Sequence, residues 1–425
     1  MILKWKIDFS LFLIAMRKRF KFILMCCIFA NTIFSQQIIP IQYDTTSYSQ
    51  EFILSGTAEI SSTSLRNEFT SKLLLGGEIT NQIKQSTFSK HLKENRVGMD
   101  VNSEFEYRNM KVNLFRNNKI GFLFKGGYFA IGSANYSKDL FDLTFNGNSL
   151  YNGKTTSFAG TSLSFFNFQK IGFGCINKIT KSNFSLNYYN VSNYYSGEIQ
   201  KGELSQNEDG TSVSLTLNGK ERQTIGSDFV KGIGVGIDLD YRFNLLLNEQ
   251  QKSTFQFLSK NIGIVNFTKE LKGYNVDSMY TFEGFKLDQL YGNNTIFKDS
   301  VSILDTLNIQ TTLEKKVVLL PGFLQFGKIV NENFKGKWQS FYGIRLYPTL
   351  AYNPMLYVGA HFSPSAKIEL GSQLSVGGFS RFRMGFYSNF KISKWSIGIG
   401  TQDLYGVLSK KGYGKSFLIR VRCKI

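Results

Sequence analysis

The chain is poor in the residues that build catalytic and metal centres. Its two histidines, His91 and His361, are too few for a metal cluster, and it contains no CxxC, no HExxH and no acidic cage. Of four cysteines, Cys26 and Cys27 lie in a leader-like segment, which leaves Cys175 and Cys423, too few for a disulfide framework. Proline occurs only five times in 425 residues, so long stretches are free to run as unbroken strands. After residue 35 no apolar run reaches the ~20 residues that a membrane-spanning helix needs, which excludes a helical membrane bundle. The GxGxG run at 232–236 and the GIG at 398–400 are not nucleotide loops, because their glycines alternate within strands and no helix follows to receive a phosphate.

What is present begins with a leader. From Met16, MRKRFKFILMCCIFANTIFSQQ places Arg17, Lys18, Arg19 and Lys21 before a short apolar run from Phe22 to Ala30. Ile33 and Ser35 stand at −3 and −1 of a cleavage site before Gln36. Residues 1–35 therefore read as a signal peptide with Met16 as its start. A lipoprotein reading on Cys26 or Cys27 would leave almost no apolar region. Removing six basic residues and one acid lowers the formal charge from +19 to +14. For an exported protein this excess points to outer-membrane lipid, lipopolysaccharide and other envelope proteins as partners, and not to nucleic acid.

Phenylalanine (40) and tyrosine (21) are abundant and favour strands. In GIGVGIDLDYRF, Ile233, Val235, Ile237, Leu239, Tyr241 and Phe243 share one face, and Asp238, Asp240 and Arg242 the other. The same alternation runs through SRFRMGFYSNF, KWSIGIGTQ and the closing SFLIRVRCKI. A soluble sandwich would share it; the length of the series, the leader and the aromatic load favour an all-β transmembrane antiparallel barrel in the bacterial outer membrane. Counting back from the C-terminus predicts about 14 strands (range 12–16), including separate ones at 156–165 and 168–178 and a first one near 99–116. FKISK, FSPSA and LLNEQQK read as tight periplasmic turns. The polar connections 200–231 and 263–318 then fall outside the cell, with a short helix within 286–310. LRNEFTSKLLLGG and ITNQIKQSTFSKHLK read as helical, so 36–94 is expected to be a plug or periplasmic cap and 95–425 the barrel. The helical start of KDLFDLTFNGN (138–148) is expected at the periplasmic rim.

Six further pieces carry a resemblance: KDLFDLTFNGNSLYNGKTTSFAGT (138–161), QKIGFG (169–174), GIGVGIDLDYRF (232–243), SKNIGIVNF (259–267), VVLLPGFLQFG (317–327) and the segment 397–425. In these the chain resembles Bacteroidota outer-membrane barrels catalogued as a domain of unknown function, similar in shape to fatty-acid channels and type IX secretion barrels. The resemblance implies fold and location only, and it carries over no catalytic or ligand residue.

One constellation could carry hydrolysis, His361-Phe362-Ser363. Parity turns His361 inward with Tyr357, away from the lipid where a phospholipid substrate would lie, so the chain reads as no enzyme and as needing no cofactor. Arg242, Arg345, Lys367, Arg381, Arg383, Arg420, Arg422 and Lys424 fall on inward faces. They read either as an anion-attracting lumen lining or as a polar interior neutralised by Asp238, Asp240 and Glu369. Two functions fit: a transport barrel for a small solute, whether apolar or not, or a structural or secretion-associated barrel that binds partners through its long outer loops or its periplasmic rim. By parity, Phe386→Arg should damage assembly and the inward Tyr387→Arg should be tolerated. A closed barrel keeps its inter-strand hydrogen bonds in detergent, so unboiled protein is expected to migrate apart from boiled protein on SDS gels. Identical migration of a sample shown to be folded by circular dichroism would contradict the barrel.

Overall fold

The structure, a computed structural model, describes residues 49–248, 251–282, 309–331 and 337–425. The leader at 1–35 and most of the helix expected within 286–310 lie outside the described residues. Fourteen strands close one antiparallel barrel. They are β1 (Gln50–Ser62), β2 (Glu94–Asn109), β3 (Ile120–Ser137), β4 (Thr161–Asn177), β5 (Asn183–Gln206), β6 (Gly232–Asn248) and β7 (Gln251–Phe267). There follow β8 (Phe323–Lys328), β9 (Trp338–Leu346), β10 (Asn353–Ser365), β11 (Ile368–Gly378), β12 (Phe382–Ile392), β13 (Trp395–Thr401) and β14 (Gly414–Lys424). Each pairs with its neighbours in chain order, and β1 closes the ring by pairing with both β2 and β14, Glu51 facing Lys424 at one end and Ser61 facing Gly414 at the other. No helix among the described residues is long and apolar enough to cross a membrane.

Alternation puts one face of each strand outside. On β6, Val235 is 60% exposed and Asp238 1%, the arrangement expected when lipid bathes the wall and polar groups face the lumen. Outward aromatics run from strand to strand close to one end of the barrel. Phe52 on β1 lies 4.7 Å from Tyr107 on β2, Phe124 on β3 is 5.2 Å from Phe173 on β4, and Phe243 on β6 is 6.1 Å from Phe255 on β7. Trp338 stacks on Phe362 at 4.3 Å between β9 and β10. This end holds both described chain ends and the short turns 178–182, 249–250, 366–367 and 393–394; it is the terminal end. The opposite, loop end carries the longer connections.

The predicted strand number stands, but two of its parts change. From residue 161 onward the two segments expected at 156–165 and 168–178 are one strand, β4, which runs unbroken past a bulge at Ser192 of β5. The extra predicted strand is balanced by β1, which lies inside 36–94; that segment is therefore not a separate plug, and the barrel begins before residue 95. Splitting β4 also inverted the side of everything before it. Helices α1 (Asn67–Leu75), α2 (Asn81–Phe88) and α3 (Lys138–Phe145) sit at the loop end, not at the end with the tight turns. Thr80 and Ser137 cap α2 and α3 by accepting from Ile83 and Leu140 N–H. Leu65, Phe69, Ile83 and Phe141 bury against one another, joined by Val97 and Tyr136 from the outward faces of β2 and β3. The helices therefore cover the outer flank of the rim and leave the lumen to other residues. His91 is built into this cap: it donates from Nδ1 to Thr87 O at 3.0 Å and accepts from Tyr136 OH at 3.2 Å. Burial, with help from Lys138 and Arg381, pushes it down to about 4, so it is neutral at pH 7. Protonation as the pH falls from near 6.5 towards 4 works against the cap.

The long connection 200–231 is not loose. The upper half of β5 continues past the barrel and pairs with Val213–Gln223, which pairs with Leu271–Phe282, and this in turn with Gln310–Glu314. These form an outer sheet at the loop end. Residues 283–308 of the connection 263–318 lie outside the described residues.

On β12 the outward Phe386 is 41% exposed and the inward Tyr387 2%. Tyr387 is not on an open wall: its ring fills the space over Gly371, where an added Cβ would lie 2.2 Å from it, and its OH meets His361 Nδ1 at 2.7 Å. The expectation that Tyr387→Arg is tolerated therefore fails on packing. Phe386→Arg, at a cost of roughly 2–4 kcal/mol on the lipid face, and Tyr387→Arg should both reduce the heat-shifted folded band, whereas Phe386→Leu should keep it. An undiminished band for Tyr387→Arg would mean that the lumen has room there.

Candidate functional site

The lumen is the candidate site, and its own side chains fill it. At its centre lies Lys170, on β4, whose ammonium donates to Glu104 Oε1 at 2.7 Å, Asp238 Oδ2 at 2.9 Å and Asn261 Oδ1 at 3.1 Å. All three of its protons are used, which is what a buried ammonium requires. Lys125 approaches Asp238 at 3.6 Å and donates to Asn183 at 3.1 Å. Lys260 on β7 reaches across the lumen to the second oxygen of Glu104 on β2, so a charged strut ties two walls that are five strands apart. A bulge in β7 makes the geometry: Asn261 takes a left-handed φ of 54°, and its N–H donates to Asp238 Oδ1 at 2.8 Å. The next wall bends in step, where Leu320-Pro321-Gly322 lead from Val317–Leu319 into β8, Gly322 lying against the Asn261 carbonyl.

Towards the terminal end the remaining charges pair locally. Arg242 grips Asp240 with Nε at 3.0 Å and a second nitrogen at 2.5 Å, and Gln256 donates to the same carboxylate at 2.8 Å. Arg108 holds Glu106 and, at 3.1 Å, Glu51, which Arg422 approaches at 3.4 Å. Lys391 lies 2.5 Å from Glu369.

Towards the loop end the filling becomes apolar. Phe129, Ile131, Phe168, Tyr189, Val265 and Leu320 form one buried cluster. Two connections fold in from the rim above it. In 347–352, Tyr347 OH donates to Asp100 at 3.2 Å, Ala351 N–H to Ser133 at 3.2 Å, and the Tyr347 and Tyr352 rings lie 4.8 Å apart. In 379–381, the Phe379 ring lies directly over the backbone of Gly98 on β2, where an added Cβ would be 2.1 Å from it; only glycine permits that approach. Tyr347, Tyr352 and Phe379 thus make an aromatic lid above the charged layer, with the Tyr347 ring resting on Phe323 of β8.

The inward basic residues singled out from the sequence do not all meet. Arg242, Arg345, Arg383 and Arg422 are buried in the lumen against Asp240, Gln325, Glu59 and Glu51 respectively, Arg422 sharing Glu51 with Arg108. Arg420 is half-buried on the same face of β14 and Lys424 is buried there. Lys367 instead lies exposed in the turn between β10 and β11, and Arg381 lies exposed at the loop rim, donating to Lys90 O at 2.8 Å. Of the acids expected to neutralise the lumen, Asp238 serves Lys170 and Lys125, and Glu369 serves Lys391. The central groups Glu104, Lys125, Lys170 and Lys260 were missed, although the spacing Glu104-x-Glu106-x-Arg108 on one strand face was readable. His361 and Ser363 do meet, at 3.0 Å, with Tyr387 on the other imidazole nitrogen; His361 is fully buried and faces the lumen.

Residues 52–402 match the model of a family of unknown function (DUF5723). No relative is found among the curated proteins. Among solved structures the chain is similar to the toluene transporter TodX of P. putida, with 9% identity, 88% of each chain covered and a TM-score of 0.34. It is similar to the CymD monoaromatic hydrocarbon channel, with 8% identity, 89% of each chain covered and a TM-score of 0.26. It is also similar to the transport unit of the autotransporter AIDA-I from Escherichia coli, with 6% identity, 95% of this chain and 97% of that one covered, and a TM-score of 0.26.

Glu104→Gln leaves Lys170 and Lys260 without their shared carboxylate. Breaking a buried pair from one side costs roughly 3–5 kcal/mol, so this variant should lose its heat-shifted band at clearly lower temperature than wild type. Lys260→Met removes the strut but keeps Lys170 satisfied, and should lose less. Equal melting of all three proteins would show that the network does not hold the walls.

Proposed function

We propose that this chain, which belongs to the DUF5723 family of unknown function, is an outer-membrane transport barrel whose filled lumen is capped by its own loops. The observation that carries this reading is where the closure comes from. The aromatic lid is made by connections 347–352 and 379–381, which enter from the rim and are not part of the wall's hydrogen-bonded ladder. Scattered hydrogen bonds (Tyr347 to Asp100, Thr349 to Leu320 O, Ala351 N–H to Ser133 and Tyr352 to the Met355 sulfur) and ring contacts hold 347–352 in place, against a full ladder for each strand, so the lid can leave without opening the barrel. A small apolar solute suits such a lid, because it would take the place of the aromatic rings against the buried apolar cluster below. Short turns on the terminal side and long connections on the other fit the usual orientation, with the terminal end in the periplasm.

The outer sheet on the upper half of β5 favours a second reading, a barrel that presents a docking platform for an envelope partner. Conductance separates the two. Refolded wild type in a planar bilayer should be closed most of the time, and a Phe379→Ala, Lys260→Met variant, which lacks both the ring over Gly98 and the strut across the charged layer, should open far more often. If that variant is folded and still silent, the transport reading fails and the docking platform remains.

A further inference from the structure

Among the described residues, the exposed charges in the turns of the terminal end are of one sign. Lys111, Arg116 and Lys119 lie in the β2–β3 turn, Lys337 precedes β9, Lys367 joins β10 to β11, and Lys394 joins β12 to β13. All six are exposed, and none has an ion-pair partner among the described residues. The acids of this end, Glu51, Glu106, Asp240 and Glu369, point into the lumen and are held there by Arg108, Arg242, Arg422 and Lys391. No exposed acid occurs at this end among the described residues; by sequence, 249–252 and 332–336 each add one acid and one lysine and leave the balance unchanged. The loop end is different: Glu78, Glu94, Glu208, Asp228, Glu270 and Asp277 stand exposed among its lysines.

The cations also sit at a definite height. Trp338 follows Lys337, Trp395 follows Lys394, and Phe115 stands beside Arg116, and these three rings are 63%, 51% and 82% exposed. Together with the outward aromatics of β1 to β10 they place an aromatic girdle immediately inside the ring of cations. Aromatic rings settle at the level of lipid headgroups, so the lysines just beyond them lie where phosphates are, with stems long enough to reach along the surface. Unpaired cations at that height gain from an anionic surface and lose nothing by leaving a protein partner.

We infer that this ring is a binding surface for anionic phospholipid headgroups, the phosphodiester-bearing lipids of the leaflet at the terminal end. The inference rests on the outer-membrane barrel reading and gives the chain's basic excess a place and a ligand class. It is independent of what passes through the lumen.

Trp338 and Trp395 are the tryptophans of the described chain and both lie in the ring, so their fluorescence reports the lipid beside it. The refolded full chain is placed in vesicles of equal phosphatidylglycerol and phosphatidylcholine, with bromine on the chains of one lipid or of the other. Bromine on phosphatidylglycerol should quench more strongly, with a relative association of roughly fivefold, the equilibrium factor of about one lysine at an anionic surface. The preference should shrink in high salt. In a Lys337→Gln, Lys367→Gln, Lys394→Gln variant it should fall to near onefold, while the heat-shifted band remains. Equal quenching from either brominated lipid in the folded wild type overturns the inference. A chain with neither a heat-shifted band nor quenching from either lipid would instead overturn the barrel reading on which it rests.

Discussion

A strand that lies in lipid must find every backbone hydrogen-bond partner on another strand, because the hydrocarbon offers none. Here that requirement is met at one seam, where Gln50–Ser62 pairs with the last strand on one side and with Glu94–Asn109 on the other. Without the first strand, two edges would face the bilayer with thirteen residues of unpaired backbone each way. Closure also decides what each side chain meets. Once the ring is complete, strict alternation leaves lipid outside and a confined space inside, and a slip by one residue in β4 would move Lys170 into hydrocarbon.

The confined space explains the composition of the inner faces. Fourteen strands enclose more volume than the wall's own side chains can fill unless those chains are long, so lysines and arginines extend inwards and bring their charges with them. Charges taken out of water must then be paired within the barrel, and Lys170 with its three acceptors shows how completely this is done. The pairing also does mechanical work. Lys260 to Glu104 joins opposite walls, and Arg383 to Glu59 spans three strands, so the network braces the barrel in directions that the ladder cannot. Above this layer the filling turns apolar and is completed by rings from connections, a change of chemistry that coincides with a change from wall to connecting segment.

Much of this was legible from residues alone, and the misreadings have physical causes. Parity along Gly232–Asn248 and Gly414–Lys424 gave the correct inner and outer faces, because a half-buried strand writes its period of two directly into the sequence. The first strand was harder to see. In QEFILSGTAEISS the outward set includes Gly56 and Ala58, which dilute the alternation. The long strand Thr161–Asn177 looked like two because its upper half faces the lumen with phenylalanines, Phe166 and Phe168, and so presents apolar residues on both sides. One strand lost and one gained left the count intact and reversed the side assigned to the helices.

The chain's own order of residues determined that it would form a strand-built barrel, which face of most strands meets lipid and which turns are short. Those features follow from local alternation and turn chemistry, which act over a few residues. Only the tertiary structure decided that the helices cover the outer flank of the loop end, that two connections fold inward as a lid, and which cation meets which acid. Lys170 finds Glu104 and Asp238 at separations of 66 and 68 residues, and Lys260 finds Glu104 across 156. A polar face in a sequence shows that a charge will point inward; which partner waits there depends on barrel closure, strand stagger and the bulge at Asn261, and these exist only once the ring is formed.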